Sequence, residues 1–413
     1  LRRFWGALGP GLITGAADDD PSGIATYSQG GAQFGYGLGW TLFLTFPLMG
    51  AIQIIAALIG AKTGKGLTPN IAARLPRPLL LGLIALLVVA NTVNIAADLA
   101  AMGDAVTLIA GGDRLYFAAG LGIVCLAAEV LVPYHSYAGY LKLAALVLLI
   151  YVGAALSVQV SWLAVLKGLA LPQVSLDKDL MLTVVAIFGT TISPYLFFWQ
   201  AAQEVEDNHR RPEAAQLRGN AAYAAEHLSR IKEDTWVGML FSNAIALCIV
   251  IATAVTLNLQ GVTTIQTAAQ AAEALRPVAG EFAFAVFALG IVGTGLLAVP
   301  VLAGSAAYGL AETFGWNEGL DRPPHEARAF YAAIALATAG GFLLNLTGID
   351  PMRALYWTAV INGLLAPPLM AMTLLLARNP HVMGRLAISR PLAAWGWAAT
   401  LAMAGVGVLF LLS

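Results

Sequence analysis

Three consecutive carboxylates lie in an apolar part of the sequence and are followed at once by residues that break helices. The stretch reads Gly15-Ala16-Ala17-Asp18-Asp19-Asp20-Pro21-Ser22-Gly23. Each charge near a bilayer centre costs about 2.5–3.5 kcal/mol on insertion scales, so three adjacent ones indicate a function. Pro21 and Gly23 interrupt the helix, and an unwound, carboxylate-bearing segment at membrane depth is typical of a transporter cation site. The alternative is a span that starts only after Gly23, with the aspartates in an interfacial loop.

A second break follows in a later apolar run. Its residues are Gly189-Thr190-Thr191-Ile192-Ser193-Pro194-Tyr195. A lone proline kink is common in membrane helices, but two breaks that fall in the first and sixth predicted spans are typical of a five-plus-five inverted repeat.

Two polar stripes flank these breaks. The first has the spacing i, i+3 and i+7, which predicts a single helix face, and consists of Asn91, Asn94 and Asp98. The second, at the end of the sixth span, is equally explained by a helix that emerges into the cytosol; it consists of Gln200, Gln203, Glu204 and Asp207. We expect the first stripe to line a hydrated path, with Tyr195, Gln200 and Asn362 as further candidates.

The composition predicts that membrane-spanning helices position these residues. Of 413 residues, 59% are apolar and 11% are charged, and the mean hydropathy is +0.77. A soluble domain usually has about 25% charged residues, so the chain is predicted to be an all-α polytopic membrane protein. The net charge of -1 argues against nucleic-acid binding. Cys125 and Cys248 lie in apolar runs, which predicts neither a disulfide framework nor a cysteine metal cluster.

Spanning helices need about 20 mostly apolar residues. On that criterion we predict eleven spans, near residues 5–29, 38–60, 79–110, 115–133, 138–160, 180–203, 234–257, 282–308, 327–347, 354–377 and 392–412. They form one membrane domain over 1–413, with a first repeat at 1–160, a second repeat at 175–377 and an additional helix at 378–413. The polar loop Asp207–Thr235 contains a stretch that can form a helix on the cytoplasmic face. Glu129 and Lys142 also fall inside predicted spans and can pair with each other.

The distribution of positive charge predicts the orientation. With the N-terminus inside, 16 Lys and Arg residues lie on the cytoplasmic side and 5 on the other, with Lys142 within a span. We therefore expect a multi-pass protein of the plasma (inner) membrane with a cytoplasmic N-terminus and an external C-terminus. No cleaved signal peptide is expected, because the first apolar run carries three aspartates.

At these residues the chain resembles the NRAMP family of divalent metal transporters, whose LeuT-like fold has broken helices 1 and 6. The family's Asp-Pro-Gly-Asn motif aligns with Asp20-Pro21-Ser22-Gly23, its Met-Pro-His motif with Ser193-Pro194-Tyr195, and its Asp-Leu-Ala-Glu motif with Asp98-Leu99-Ala100-Ala101. The resemblance implies that Asp20 is the metal-binding carboxylate and that the Thr190 carbonyl is a second ligand. Asp19 is an additional candidate ligand, and either Asp18 or Asp19 is expected to strengthen the field at Asp20 or to hold outer waters of the ion.

The departures from the family motifs predict the choice of metal. Gly23 stands where the family has a metal-binding asparagine, and Ser193 where it has a thioether ligand. Oxygen ligands suit hard ions, and Mg²⁺ keeps several of its waters, so a smaller, oxygen-only site favours it. The pattern resembles the NRAMP-related magnesium transporters, with Mn²⁺ as the expected secondary substrate.

The same comparison predicts transport without protons. Tyr195 and Ala101 replace the family's proton-carrying histidine and glutamate, which leaves Asp98 alone. All five histidines, at positions 135, 209, 227, 325 and 381, fall outside the predicted spans. We therefore expect uptake by alternating access, driven by the membrane potential.

Three alternatives remain. The nearest is a proton-coupled Mn²⁺ or Fe²⁺ importer; the others are a sodium-coupled small-molecule symporter and a metal-sensing membrane receptor. An intramembrane enzyme is disfavoured because no G-x-S-x-G or H-E-x-x-H motif falls on a span. We expect no cofactor, and no partner besides the transported ion and the lipid bilayer.

Overall fold

The computed structural model describes residues 9–132, 146–172, 177–210, 221–348, 350–384 and 387–412, and within these ranges the chain is helical without strands. The α-helices, α1 to α18 in chain order, are Pro10–Asp18, Pro21–Phe34, Gly39–Thr63, Leu67–Ala72, Arg77–Ala110, Arg114–Leu131, Leu149–Ser157, Trp162–Ala170, Lys178–Thr191, Pro194–Arg210, Ala221–Thr256, Ala268–Glu273, Arg276–Ala279, Ala283–Phe314, Arg328–Asn345, Pro351–Ala377, Pro380–Met383 and Arg390–Leu412. Short 3₁₀ turns lie at Leu146–Leu148, Asn258–Gln260 and Gly280–Phe282.

Both predicted breaks are present. The first predicted span consists of α1 with 9 residues and α2 with 14, separated by Asp19 and Asp20. The sixth consists of α9 and α10, separated by Ile192 and Ser193. A proline begins the second half in each case, because the first helical position needs no N–H donor.

Eight described helices are long and apolar enough to cross a membrane. A ninth span arises if Leu146–Ser157 and Trp162–Ala170, bent by 117° at their junction, are counted together. The other two predicted spans are helical as well: 5–29 corresponds to the broken pair α1 and α2, and 327–347 to α15. The total of eleven spans stays a prediction.

The loop predicted at 207–235 is largely helix in its described part. Helix α10 continues to Arg210 and α11 begins at Ala221, because the alanine-rich residues that follow favour helix over loop. His227 lies buried near the start of α11, within the candidate spanning helix Glu226–Gln260, whose first ten residues are mostly polar. His209 is exposed at the polar end of the candidate spanning helix Lys178–His209. His135 and Lys142 lie outside the described residues.

Glycines bring α1 directly against α11. A Cβ on Gly15 would lie 2.2 Å from the carbonyl oxygen of Gly238, and a Cβ on Gly238 would lie 2.1 Å from that of Gly11. Backbones that approach this closely leave no room for side chains between them. The close contact therefore fixes the position of α1 on α11.

We expect Gly15→Ala to destabilise the protein by at least about 1–3 kcal/mol, the usual cost of overpacking, because the new Cβ meets backbone that cannot rotate away. The melting temperature of the detergent-solubilised protein measures the effect. Gly120→Ala is the control, since a Cβ there meets nothing within 4 Å. Equal melting temperatures for Gly15→Ala and the wild type would contradict this packing.

Candidate functional site

Asp20 is the N-cap of α2 at the first break. Its Oδ1 accepts a hydrogen bond of 2.6 Å from the backbone N–H of Gly23, which satisfies one of the free donors at the start of that helix. The side chain is only 2% exposed. The helix N-terminus thus stabilises the carboxylate at a depth where no bulk water reaches it.

Two more side chains meet the other oxygen of this carboxylate. The Asn94 side-chain amide on α5 donates to Asp20 Oδ2 over 3.3 Å, and the Tyr195 hydroxyl on α10 lies 3.2 Å from the same atom. The Tyr195 hydroxyl also lies 3.1 Å from the carbonyl oxygen of Ala17. The structure therefore brings together both breaks and the predicted polar stripe of the third span.

Oxygen atoms from the second break lie beside the first. A Cβ added to Gly23 would lie 3.3 Å from Thr190 Oγ1 and 3.0 Å from the carbonyl oxygen of Asp18. The Ser193 hydroxyl lies 2.9 Å from the Thr190 carbonyl oxygen and 2.6 Å from that of Gly189. The absence of a side chain at Gly23 thus lets the two broken helices pack closely at this point.

The three aspartates do not converge. Asp18 and Asp19 face α11, where the Ser242 hydroxyl lies 2.6 Å from Asp18 Oδ2 and 3.4 Å from Asp19 Oδ1. Across the described ranges, no group of three or more histidine, cysteine, aspartate or glutamate side chains is arranged to hold a metal ion. Asp19 therefore lies in a different polar group from Asp20.

The other predicted path residues are dispersed. Asp98 is fully buried with its carboxylate near the backbone amide of Ser22, but neither oxygen makes a hydrogen bond of normal geometry. Asn91 binds the Leu302 carbonyl and the Ser305 hydroxyl on α14, which ties two helices together.

Two further predicted path residues lie in helix contacts. The Gln200 amide donates to the Thr235 hydroxyl over 2.8 Å, away from the break. Asn362 is buried on α16 beside Gly363, where that helix packs closely on Gly189. This places it beside α9, just before the second break.

The sequence did not single out several residues that hold the breaks in place. Asp234 caps the N-terminus of α1, accepting from the backbone N–H groups of Gly9 at 2.8 Å and Gly11 at 2.7 Å. The Tyr27 hydroxyl lies 3.0 Å from that of Thr191 across the two breaks. A polar residue inside an apolar span was the available signal for Ser242.

A separate cavity of about 670 Å³ lies at the end of α10 and α14. Its lining includes Glu206, Glu312 and Glu318. Burial, together with the neighbouring carboxylates of Glu312 and Glu206, raises the pKa of Glu318 from 4.5 to about 9. This acidic cavity is distinct from the residues around Asp20.

The described helices, with two broken spans and polar groups at the breaks, have the LeuT-like fold. The family model described as "Natural resistance-associated macrophage protein-like" (Nramp) matches residues 11–413, and the chain belongs to this family.

Related proteins have the names of metal transporters. The divalent metal cation transporter MntH of Pectobacterium carotovorum is 27% identical over 372 residues, covering 86% of this chain and 81% of the relative. That of Yersinia enterocolitica is 26% identical over 426 residues, covering 98% and 94%.

Solved structures share the fold. A manganese transporter from Eremococcus coleocola, in complex with an aromatic bis-isothiourea substituted compound, superposes with a TM-score of 0.77 at 17% identity, covering 98% of this chain and 86% of that one. A nucleobase-cation-symport-1 family transporter in a closed conformation gives 0.60 at 14% identity, covering 98% and 90%.

The raised pKa of Glu318 predicts a pH-dependent stability. Because the folded state binds this proton more tightly than the unfolded chain does, the contribution is complete below pH 4.5 and is lost as the pH rises through about 9. Glu318→Gln, which stays neutral, is expected to flatten the fall in melting temperature over that range. Glu326→Gln, at an exposed position, is the control and is expected to follow the wild type. An unchanged pH profile for Glu318→Gln would contradict the assignment.

Proposed function

We propose that the protein carries divalent metal cations across the plasma membrane by alternating access, with Mg²⁺ as the main substrate and Mn²⁺ as the secondary one. The observation that carries this proposal is the set of oxygen atoms at the two breaks: the Asp20 carboxylate, the Thr190 carbonyl and the Ser193 hydroxyl. The names of the related proteins, divalent metal cation transporters and a manganese transporter, support the general class of substrate.

The choice of Mg²⁺ follows from the chemistry of these donors. Mg²⁺ prefers hard oxygen ligands and gives up its waters reluctantly, whereas a thioether favours softer transition metals. Ser193 supplies a hydroxyl where the family has a thioether, and Gly23 supplies no side-chain ligand where the family has an asparagine. A partly hydrated ion bound to Asp20 fits both substitutions.

Binding requires a local rearrangement at Asp20. Its Oδ2 atom lies within reach of donors from Asn94 and Tyr195, and its Oδ1 atom accepts from Gly23. An arriving cation must compete with these donors for the carboxylate lone pairs. Asn94 and Tyr195 would then turn toward the waters of the ion, which makes them positioning residues for a hydrated substrate.

We propose that transport is uncoupled from protons. Tyr195 hydrogen-bonds to Asp20 at the position of the family histidine, and it cannot release a proton readily near neutral pH. A divalent ion entering a negative cell gains about 2.3 kcal/mol per charge per 100 mV, which supplies a driving force without a second ion gradient.

A proton-coupled Mn²⁺ importer is the second candidate. It is favoured by the name of the Eremococcus coleocola manganese transporter and by two buried carboxylates, Asp98 and Glu129, whose oxygens make no hydrogen bonds of normal geometry. Carboxylates of this kind inside membrane spans are often proton carriers. Measurement of proton flux separates the two candidates.

The orientation remains the one that the charge distribution favours. A cytoplasmic N-terminus places 16 Lys and Arg residues inside and 5 outside. The acidic cavity with Glu206 and Glu318 would then open toward the cytosol, on the same side as Lys65 and Arg322 in its lining.

We expect the protein in liposomes with an enclosed pH dye and a clamped membrane potential to take up Mg²⁺ without acidification of the lumen. Asp20→Asn should reduce uptake to background, because the substitution removes the charge and keeps the volume. Glu326→Gln, an exposed carboxylate outside the site, should transport as the wild type does. Mn²⁺ uptake with acidification, and no Mg²⁺ uptake, would instead establish the proton-coupled importer.

Selectivity should change with the donor at Ser193. Ser193→Met introduces the thioether that softer ions prefer, so uptake of Cd²⁺ and Mn²⁺ relative to Mg²⁺ is expected to rise, by about tenfold for each 1.4 kcal/mol of preference. Ser193→Ala is the matched control, since it removes the hydroxyl without adding sulfur. Identical ion preferences in Ser193→Met and Ser193→Ala would place selectivity elsewhere.

A further inference from the structure

A groove of about 390 Å³ lies between α5, α14 and α15, away from the two breaks. Alanine side chains form its floor: Ala306 on α14 is 1% exposed, and Ala333 and Ala337 on α15 are 8% and 7% exposed. Val88 on α5 and Leu310 on α14 add to its walls. Contacts between helices are normally close-packed, so the small side chains here leave space for another molecule.

The groove is apolar. Apart from the Trp316 indole, Thr92 has the only polar side chain among the described residues that line it, and its hydroxyl donates to the Val88 carbonyl over 2.8 Å. Leu336, on the rim, is 73% exposed. In a chain of this membrane-transporter family such a rim faces the hydrocarbon of the bilayer, so the expected occupant is itself a hydrocarbon.

The groove is confined to one end of the spanning helices. Its lining begins at Ala329, in the first turn of α15, and the last lining residue of that helix is Ala337. At 1.5 Å per residue it therefore extends about 12 Å, less than half of a hydrocarbon core about 30 Å thick. Beyond it α15 meets α5 directly, since a Cβ on Gly341 would lie 2.5 Å from Ile95 Cγ2. The groove thus lies within one leaflet and is closed at its deep end.

Two arginines lie at the surface end of the groove. Arg328 begins α15, and Arg77 begins α5, about three turns before Val88 and on the same helix face. The two helices run in parallel, and a Cβ on Gly340 would lie 3.2 Å from Thr92 Cγ2. Arg328 is 12 residues before this contact and Arg77 is 15 before it, so the two arginines differ in depth by only about 5 Å.

Both arginines are available to an anion. Arg77 and Arg328 are exposed, and neither forms an ion pair with a residue that the structure describes. A guanidinium group binds a phosphate with two parallel hydrogen bonds, and basic positions between spanning helices bind the anionic headgroups of lipids.

An aromatic pair lies at the same end. Trp316 lines the groove just after the end of α14 and is 39% exposed, with its ring stacked on Phe314 at a centroid distance of 5.2 Å. Tryptophan is enriched at the level of the headgroups, because its indole combines an apolar body with an N–H donor. From the surface inward, the groove therefore presents cationic and interfacial groups first and apolar groups below them.

We propose that this groove binds one acyl chain of an anionic phospholipid whose phosphate is held by Arg77 and Arg328. The two arginines favour a negatively charged headgroup. The shape favours a single chain over a helix of a second copy: the volume over 12 Å corresponds to a cross-section of about 30 Å², against about 80 Å² for a helix 10 Å across. Under the proposed orientation this is a lipid of the cytoplasmic leaflet.

The bound lipid would act on the helix that carries Asn94. Helix α5 presents Val88 and Thr92 to the groove, and Asn94, less than one turn further on, to Asp20. A chain in the groove adds contacts among α5, α14 and α15, so it is expected to stabilise the protein.

The test is lipid binding to the purified, delipidated full chain in detergent, followed by native mass spectrometry and by melting temperature. One copy of dioleoyl phosphatidylglycerol is expected to stay bound at concentrations at which dioleoyl phosphatidylcholine does not. The anionic lipid should also raise the melting temperature saturably. Glycerol phosphate, which is the headgroup without chains, should do neither. These wild-type measurements depend on no variant.

Two charge variants test the headgroup contact. Arg77→Gln and Arg328→Gln should each weaken the apparent affinity for phosphatidylglycerol by about tenfold, as loss of about 1.4 kcal/mol of ligand interaction would. Arg390→Gln is the matched control, because Arg390 is an exposed arginine that begins another spanning helix, α18, outside the lining.

A third variant fills the groove without changing charge. Ala332 lines the groove at an exposed position of α15, so Ala332→Phe should abolish binding of phosphatidylglycerol and leave the melting temperature without lipid near that of the wild type. Ala339→Phe, at an exposed position of the same helix outside the lining, should bind the lipid as the wild type does.

Three results would overturn the inference. The first is equal retention of the two phospholipids by both the wild type and Arg328→Gln, which is a non-specific lipid shell. The second is unchanged binding in Ala332→Phe, which places the chain elsewhere. The third is a dimer in light scattering that Ala332→Phe dissociates, which makes the occupant a second copy. None of these measurements involves a transported ion, so failure of the proposed function would leave the inference standing.

Discussion

One constraint shapes the rest of the structure: buried carboxylates such as Asp20 must be stabilised without contact with water. The N-terminus of α2 meets this need for Asp20, because the backbone N–H of Gly23 donates to the carboxylate. A continuous helix would use that N–H internally, so the break is the condition for placing a negative charge here. Pro21 and Pro194 each begin the second half of a broken helix, where the missing N–H of proline costs no hydrogen bond.

The same breaks give each half-helix its own set of contacts. Asp234 and the close-packed glycines hold α1 against α11. At the other end, Asn258 donates to the Ala32 carbonyl at the end of α2, and Gln29 binds the backbone of Thr263 and Ile265. Both half-helices are therefore held by contacts at their outer ends while Asp20 is buried between them.

In the proposed alternating-access cycle, one set of these contacts would break at a time. The contacts that hold α1 are the hydrogen bonds from its first N–H groups to Asp234 and the close glycine packing against α11. Each of these contacts is either made or broken, with little in between. Arg230 adds a link from α11 to Glu204 and Asp207 on α10, so the halves of the two broken helices share a neighbour at this end. Under the proposed function, a cation at the breaks would shift the balance between these sets only if it bound one arrangement more tightly than the other.

The sequence by itself determined the class of protein and the two breaks, because hydropathy and prolines are local properties of the chain; the role of Asp20 as a metal ligand stays a prediction. It also identified Asn94 and Tyr195, which the structure places against Asp20. It could not determine that Asp18 and Asp19 face α11 while Asp20 faces α5 and α10, since the direction of each side chain depends on how the break is wound. Ser242 and Asp234 lie more than 200 residues from the groups they bind, so only the tertiary structure could show which partners they meet.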